Sequence, residues 1–215
     1  MLRFIASALL LFTLSGAANS QNFFDFFRQN GPNQTYRPEP RYQTRQQDPT
    51  LLRTIVSYPG LDKGKIVISP EQRRLYLGLG GGRALRYAIG VGKEGMLWHG
   101  VMHVGAKKEW PSWTPTPEMR VRVRNEQNRV LPVTMPGGID NPLGERALYL
   151  FGSYVERGVM KNAAGGDSLF RIHGTNEPHT IGQSVSSGCF RMTNDDVVDL
   201  YARVPLGAEV EVLEE

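Results

Sequence analysis

Residues 170–191 read FRIHGTNEPHTIGQSVSSGCFR, and this stretch decides what kind of domain the chain forms. It begins within a strand candidate that ends near Ile172, so His173 and Gly174 stand at the end of a strand. A loop rich in glycine and polar residues then leads to Gly188 and Cys189. An imidazole that takes the proton of a thiol is one way in which proteins make cysteine nucleophilic. The stretch therefore predicts a Cys-His pair.

Cys189 is the only cysteine among the 215 residues, so the chain cannot form an internal disulfide. Taken alone, a single cysteine is more often a small buried apolar residue than a reactive group. Gly188 favours reactivity, because a missing side chain permits a tight turn and lets backbone N–H groups face a developing oxyanion. A helix is predicted shortly after Cys189, and we expect its N-terminus and His173 to lower the pKa of the thiol.

That helix is predicted to begin at Thr193, whose hydroxyl can cap the first turn while Asp196 reaches back. Pro205 and Gly207 end it. Short strand candidates, each bounded by Gly, Pro or polar turn residues, make up the rest of the domain. They are Ile66–Ile68, Leu75–Leu77, Arg86–Val91, Val101–Gly105, Ala147–Phe151, Leu169–Ile172 and Glu209–Leu213. We predict a mainly β domain over residues 63–213, with one or a few short helices.

The start of the chain has a different composition. Residues 1–20 combine a basic start, an apolar run and small residues before Gln21, which predicts a cleavable signal peptide and export; an uncleaved anchor is the alternative. Residues 21–62 are rich in Gln, Asn, Pro and Arg and predict a flexible linker. The net charge of +4 and pI of about 9.3 suit an anionic envelope. Basic residues are scattered, so a nucleic-acid partner is not expected.

The His-to-Cys stretch resembles the catalytic signature of the YkuD-type L,D-transpeptidases. Members of that family carry a His-Gly-Thr-Asn-type segment, a loop, and then Ser-His-Gly-Cys or a variant of it. Similarity extends over roughly residues 63–213, and several separated motifs in one order are more specific than one. The further motifs are YAIGVG at 87–92, WPSWTP at 110–115, MPGG at 135–138 and NPLG at 141–144.

The resemblance assigns roles to three residues. It implies that Cys189 is the nucleophile, that His173 is the base, and that the carbonyl of Gly174 orients the imidazole. It also implies a β-sandwich of the L,D-transpeptidase type that needs neither a cofactor nor a metal.

Three neighbouring residues are candidates for contacts with the substrate or the oxyanion. Ser187 stands where many relatives have histidine, and its hydroxyl can donate to either; Gly188 belongs to the same turn. Arg191 aligns with an arginine common in the family. It either holds a substrate carboxylate or braces the loop, and the sequence leaves both open.

The implied chemistry is acyl transfer on peptidoglycan tetrapeptide stems in the periplasm. A thioester forms on Cys189 with loss of the terminal D-alanine. The acceptor is left open: another stem, an amine of an envelope protein, or water, which would make the chain an L,D-carboxypeptidase. The resemblance also implies acylation of Cys189 by carbapenem-type inhibitors.

The sequence fits two other functional classes, a papain-like protease and a zinc site, less well. In papain-like proteases the cysteine precedes the histidine in the chain, and here the order is reversed. His99 and His103 lie in or beside a strand candidate, too far apart in an extended chain to share one zinc ion. A non-catalytic peptidoglycan-binding or scaffold module is the remaining alternative. Tyr154 and the glycines at 165–166 predict either a lid or an ordinary loop.

Overall fold

Short strands make up most of the chain in a computed structural model that describes residues 48–214. The predicted signal peptide and residues 21–47 of the predicted linker lie outside the described residues. The strands are β1 Thr54–Ser57, β2 Ile66–Ser69, β3 Arg74–Gly80, β4 Arg83–Ala88, β5 Val91–Gly92, β6 Gly100–Glu109, β7 Arg146–Phe151, β8 Tyr154–Glu156, β9 Val159–Lys161, β10 Asp167–His173, β11 Ser184–Ser186, β12 Phe190–Arg191 and β13 Glu209–Val212. The helices are α1 Pro117–Gln127 and α2 Asn194–Arg203, with short 3₁₀ turns at Pro49–Leu51 and Pro178–Thr180.

Nine strands form one mixed sheet in the order β1-β4-β3-β2-β13-β6-β7-β10-β12. The β2-β3-β4 meander is antiparallel, and the C-terminal β13 lies parallel to β2 and antiparallel to β6. At the far end β12 lies parallel to β10. Two further pairs, β5 with β11 and β8 with β9, stand outside this sheet. The predicted mainly β class is confirmed.

The sheet curves so that β12, the last strand in the order, meets the chain just after β4, near the other end of the order. Gly90, just after β4, and Arg191 in β12 exchange two backbone hydrogen bonds of 2.9 Å. One apolar cluster accordingly holds side chains from both ends of the strand order, such as Leu75 of β3 and Ile172 of β10. The two halves of one curved sheet therefore enclose a single core, which gives the sandwich that the sequence predicts.

Helix α2 covers this core at the position predicted for it. The Thr193 hydroxyl accepts a hydrogen bond from the Asp196 N–H at 3.2 Å, which caps the first turn. Val197 and Leu200 are fully buried on the inner face. At the other end the Lys107 ammonium donates to the carbonyls of Tyr201 and Val204, at 2.6 and 2.7 Å. Both helix ends thus have partners for backbone groups that the helix leaves unsatisfied.

The prediction of a flexible linker is wrong at its C-terminal end, because β1 lies inside it. Residues 54–57 pair with residues 83–86 of β4 in antiparallel register. Only Val56 of this strand is partly buried. The strand is held by backbone hydrogen bonds at the edge of the sheet and buries little apolar surface, so its sequence lacks the apolar pattern by which strands are found.

Helix α1 has no apolar stripe, so the sequence pattern does not predict a helix at this position. The Thr116 hydroxyl caps it by accepting from the Met119 N–H at 3.2 Å, and Pro117 occupies its first turn. Val121 is 61% exposed, so this helix contributes little to the core. Within residues 48–214 no helix is long and apolar enough to cross a membrane.

A buried hydroxyl links the sheet to α2, and its removal should destabilise the fold. Tyr87 of β4 is fully buried and donates to Asp199 Oδ2 at 2.6 Å. Burial raises the pKa of Tyr87 far above its usual range. The substitution Tyr87→Phe leaves the carboxylate without this donor, so we expect it to lower the free energy of unfolding by about 1–2 kcal/mol. Urea denaturation measures this.

Tyr76→Phe is the matched control for that measurement. The Tyr76 hydroxyl donates to Gln72 on the exposed surface, where water can replace the lost group. We expect a change below about 0.5 kcal/mol. Equal losses for the two variants would contradict the proposed role of the Tyr87 contact.

Candidate active site

His173 ends β10 with its ring fixed by one short hydrogen bond. Its Nδ1 lies 2.6 Å from the carbonyl oxygen of Gly174. A carbonyl only accepts hydrogen bonds, so Nδ1 carries the proton in this contact. In the neutral imidazole Nε2 then has a free lone pair. The orienting role predicted for the Gly174 carbonyl fits this geometry, and the available basic atom is Nε2.

Burial keeps the His173 ring neutral. The side chain is almost fully enclosed, and this desolvation lowers the pKa of His173 to about 3. The hydrogen bond to Gly174 acts in the opposite direction, while the positive charges of Arg191 and Arg171 add to the lowering. A neutral ring can accept a proton, which a general base must do.

The parallel pairing of β10 with β12 brings Cys189 to the same region. Ile172 lies opposite Phe190 and His173 opposite Arg191. Cys189 immediately precedes β12, which places it beside Arg171, two residues before His173. The pairing thus brings the segments that carry the predicted nucleophile and the predicted base next to each other.

The thiol pKa departs from the prediction. We expected His173 and the start of α2 to lower it, but burial raises the pKa of Cys189 above its ordinary value. A backbone hydrogen bond from Arg171 and the charges of Arg171 and Arg191 oppose this without outweighing it. The free energy lost when the thiolate is removed from water exceeds the free energy gained from the neighbouring positive charges. The Cys189 thiol and the His173 imidazole are therefore both neutral at rest.

Ser186 and Trp98 hold the turn before Cys189. The Ser186 hydroxyl donates to the Cys189 carbonyl at 2.6 Å and accepts from the Gly188 N–H at 3.1 Å. The Trp98 indole N–H donates to the Gly188 carbonyl at 2.9 Å. The predicted tight turn is present, with φ of 107° at Gly188. The Gly188 N–H is bonded to Ser186 in this structure, and the predicted part of this turn in binding an oxyanion stays a prediction.

An aromatic cluster explains why residue 188 lacks a side chain. Trp98 stacks on Phe170 with ring centroids 4.5 Å apart, and Tyr154 packs edge-on against both rings. A Cβ on residue 188 would lie 2.5 Å from the Phe170 ring. Tyr154, predicted to belong to a lid or a loop, is in β8 and packs on this cluster. No spacing in the sequence connects Trp98 with Gly188, so sequence reasoning missed its role.

Arg191 braces the loop that joins the two catalytic candidates. Its guanidinium lies 3.0 Å from a Glu177 carboxylate oxygen and donates weakly to the Thr180 hydroxyl at 3.4 Å. Both partners belong to the segment between His173 and Cys189. Of the two roles left open for Arg191, the structure supports the bracing one, because Glu177 already supplies the carboxylate.

Ser187 contacts a residue that the sequence did not single out. Its hydroxyl oxygen accepts a hydrogen bond from Arg122 of α1 at 2.5 Å. The helix therefore reaches the turn that carries the nucleophile. Arg122 was missed because α1 has no apolar periodicity that would place it near the site.

Asn194, the first residue of α2, fixes the backbone around Gly174. Its side-chain oxygen accepts from the N–H groups of Glu145 and Thr175, at 3.1 and 3.2 Å. The same oxygen would lie 2.2 Å from a Cβ on Gly174 and 2.3 Å from one on Gly144. The His-Gly and Asn-Pro-Leu-Gly motifs, distant in sequence, thus meet at this amide.

The histidines considered for zinc lie elsewhere. His103 is exposed beside Phe151, and His99 faces the exposed Glu214 carboxylate at 3.7 Å. Across residues 48–214, no three His, Cys, Asp or Glu side chains are grouped so that they could hold a metal ion.

A family model for the L,D-transpeptidase catalytic domain, YkuD, matches residues 63–212. The chain belongs to this family. It is 34% identical over 170 residues to the probable L,D-transpeptidase ErfK/SrfK of Escherichia coli K12, covering 77% of this chain and 49% of the relative. It is also 34% identical over 157 residues to the probable L,D-transpeptidase YbiS of the same strain, covering 71% and 45%. The chain thus spans about half the length of these curated relatives.

One solved structure is similar over most of both chains. It is described as a probable carnitine operon oxidoreductase caia from Brucella melitensis, and it is 46% identical, with 77% of this chain and 96% of that chain covered and a TM-score of 0.48. Membership of the L,D-transpeptidase family rests on the family model and the curated relatives.

Gly174→Ala should damage the site by steric conflict. The new Cβ would meet the Asn194 oxygen at 2.2 Å and the Glu145 nitrogen at 3.1 Å, so the backbone that orients His173 must move. We expect a loss of about 1–3 kcal/mol in the free energy of unfolding, measured by urea denaturation. Gly166→Ala, where a Cβ meets nothing within 4 Å, is the control and should be nearly neutral. A Gly174→Ala variant as stable as this control would refute the predicted conflict.

His173 should make the fold sensitive to acid. The folded protein keeps the ring neutral to about pH 3, whereas the free side chain titrates near 6.5. Between these values the unfolded state binds the extra proton, so this contribution to stability is complete above pH 6.5 and is lost as the pH falls. The added slope is at most about 1.4 kcal/mol per pH unit. We expect His173→Gln to reduce the pH dependence of urea unfolding between pH 6.5 and 3.

His103→Gln is the control for the acid measurement, because His103 is exposed. The pH dependence of the free energy of unfolding should be the same for this variant as for the wild type. If His173→Gln retained the wild-type slope as well, the ring would not be held neutral by the fold.

Proposed function

We propose that the chain is a periplasmic L,D-transpeptidase that acts on peptidoglycan stem peptides, with Cys189 as nucleophile and His173 as base. The observation that carries the proposal is the bond between His173 Nδ1 and the Gly174 carbonyl. It leaves Nε2 as the basic atom on the strand that pairs with the segment after Cys189. Family membership supports the reaction class, and the orientation of the His173 ring supports its proposed role as base.

In the first step Cys189 Sγ attacks the carbonyl carbon of the amide after the third residue of a donor tetrapeptide. The thiol proton passes to His173 Nε2 as the C–S bond forms. Collapse of the tetrahedral intermediate breaks the C–N bond, and the departing D-alanine amine takes the proton from Nε2. A thioester on Cys189 and a neutral imidazole remain.

The neutral state of the Cys189 thiol and the His173 imidazole determines when the thiol proton is transferred. Because burial disfavours both the thiolate and the imidazolium, separated charges form only when the substrate supplies the electrophile. A protonated thiol also resists oxidation better than a thiolate does. In an oxidising envelope, a nucleophile without a partner cysteine gains protection from this arrangement.

In the second step an acceptor attacks the thioester carbonyl. An amine of another stem gives a cross-link, an amine of an envelope protein gives an anchored protein, and water gives a shortened stem. In each case His173 Nε2 takes a proton from the acceptor and returns it to Sγ as the C–S bond breaks. The chemistry at Cys189 is common to all three.

Carbapenem-type inhibitors should acylate the same thiol. Attack of Cys189 on the strained lactam carbonyl opens the ring and retains the leaving nitrogen, so the adduct has the full mass of the inhibitor. Intact-protein mass spectrometry detects it, and a wild-type protein without an adduct would contradict this part of the proposal.

The central test is the incubation of the chain from residue 21 with peptidoglycan stems, followed by mass spectrometry of the products. We expect the wild type to release D-alanine and to form exchanged or cross-linked stems. Cys189→Ala should abolish these products, and His173→Gln should reduce them by at least about 100-fold. Cys189→Ala should keep its melting temperature within a few degrees, which shows that the domain is folded.

A scaffold module that only binds the wall would give the opposite result. The wild type and Cys189→Ala would then bind stems equally and release no D-alanine. That outcome would overturn the catalytic proposal.

A further inference from the structure

We propose that Arg122 of α1 binds a carboxylate of the donor peptide beside the nucleophile and thereby selects donors with a free acid group. This inference rests on the proposed function and assigns part of its substrate specificity to one residue. Arg122 Nη2 donates to the Ser187 hydroxyl at 2.5 Å, and Ser187 is two residues before Cys189. The guanidinium therefore lies at the edge of the turn that presents the thiol.

Two other arginines near the thiol already have carboxylate partners. Both terminal nitrogens of Arg171 contact the Asp167 carboxylate, at 2.7 and 2.9 Å. Arg191 is paired with Glu177 at 3.0 Å. Neither has its charge available for an acid group of the substrate.

Arg122 differs from both. Of the ion pairs found among residues 48–214, none involves Arg122. The side chain is partly buried, and its hydrogen-bond partner at the turn is a neutral hydroxyl. A partly desolvated cation with only a neutral partner has an unfulfilled preference for an anion.

Polar contacts, and not apolar burial, hold α1 in the position that presents Arg122. The Arg120 guanidinium donates to the carbonyls of Val133 and Pro115, at 2.6 and 3.3 Å. Glu126, one turn beyond Arg122, faces Lys93 at 3.5 Å, and Lys93 in turn donates its backbone N–H to the Ser186 carbonyl at 3.0 Å. Arg120 thus fixes the start of the helix to its flanking loops, and Glu126 links its last turn through Lys93 to the turn before Cys189.

The chemistry of the ligand follows from the guanidinium. Its fork of N–H donors matches the two oxygens of a carboxylate, and Ser187 uses only part of that fork. A donor stem has a C-terminal carboxylate on the residue that leaves, one residue beyond the carbonyl attacked by Cys189. Ser187 and Cys189 are at most about 7 Å apart along the backbone, so a carboxylate one residue away is within reach of Arg122. A side-chain carboxylate on the third residue of the stem is the second source of the same group.

Synthetic tetrapeptide stems distinguish the sources. One carries both acids free, one has its C-terminus amidated, and one has the side-chain carboxylate of its third residue amidated. We expect Arg122→Gln to lower kcat/KM for the free acid by about 10- to 100-fold. For the stem that lacks the recognised carboxylate, the wild type and Arg122→Gln should be about equal. Arg122→Lys should recover part of the loss, since it restores the charge without the fork.

Arg124→Gln is the matched control. It removes the same charge from the same helix, but Arg124 is exposed, so we expect kcat/KM within about twofold of the wild type. Equal losses for Arg122→Gln and Arg124→Gln would overturn the proposal. So would an Arg122→Gln variant that loses the same factor with every donor, since that result would assign Arg122 only to supporting the Ser187 turn.

Binding separates this inference from the proposed function. Calorimetry with the Cys189→Ala protein measures the affinity for stems without turnover. In this background we expect Arg122→Gln to weaken binding of the stem with both acids free by about 10-fold or more. Binding of the stem in which the recognised carboxylate is amidated should not change. If the wild type shows no turnover, the proposed function fails, and the contrast among the three stems still decides the role of Arg122. If neither amidation removes the effect of the variant, Arg122 recognises no carboxylate.

Discussion

The hydrogen bond between the His173 ring and the Gly174 carbonyl places the proton on Nδ1 and leaves Nε2 as the available basic atom, and the surrounding structure maintains this bond. The carbonyl keeps its position because Asn194 fills the space where a Gly174 side chain would be and binds the N–H groups of Glu145 and Thr175. The start of α2, the start of β7 and the end of β10 therefore meet at one amide. The contact that selects the tautomer is part of the packing of the fold.

The parallel pairing of β10 and β12 determines the distance in sequence between His173 and Cys189. Adjacent parallel strands need a crossover of a dozen or more residues, and here the loop after Gly174 supplies it without a full helix. The short turn at Pro178–Thr180 and the Arg191–Glu177 ion pair hold this crossover. The backbone bonds between Gly90 and Arg191 then join it to the other end of the sheet.

The sequence predicts well whatever depends on local chemistry. The cap at Thr193 and the core strands follow from hydroxyl capping and periodicity, and the pairing of Cys189 with His173 stays a prediction from recognised motifs. It fails where position depends on partners distant in the chain. β1 is an edge strand held by backbone bonds, α1 is anchored by polar contacts, and Trp98 reaches Gly188 across the fold. None of these features leaves a periodic signal. The raised pKa of Cys189 was missed for the same reason, because burial depends on the assembled core.

Burial and the charges around Cys189 and His173 keep both side chains neutral. Arg171 and Arg191 favour the thiolate and disfavour the imidazolium. Each guanidinium is paired with its own carboxylate, Asp167 or Glu177, and an ion pair exerts a weaker field at a distance than a lone cation does. Burial then outweighs these charges, and both groups remain uncharged. Arg122 has no such ion-pair partner among the described residues and donates to the neutral Ser187 hydroxyl. An anionic donor bound beside Ser187 would therefore give this guanidinium the carboxylate that Arg171 and Arg191 already have.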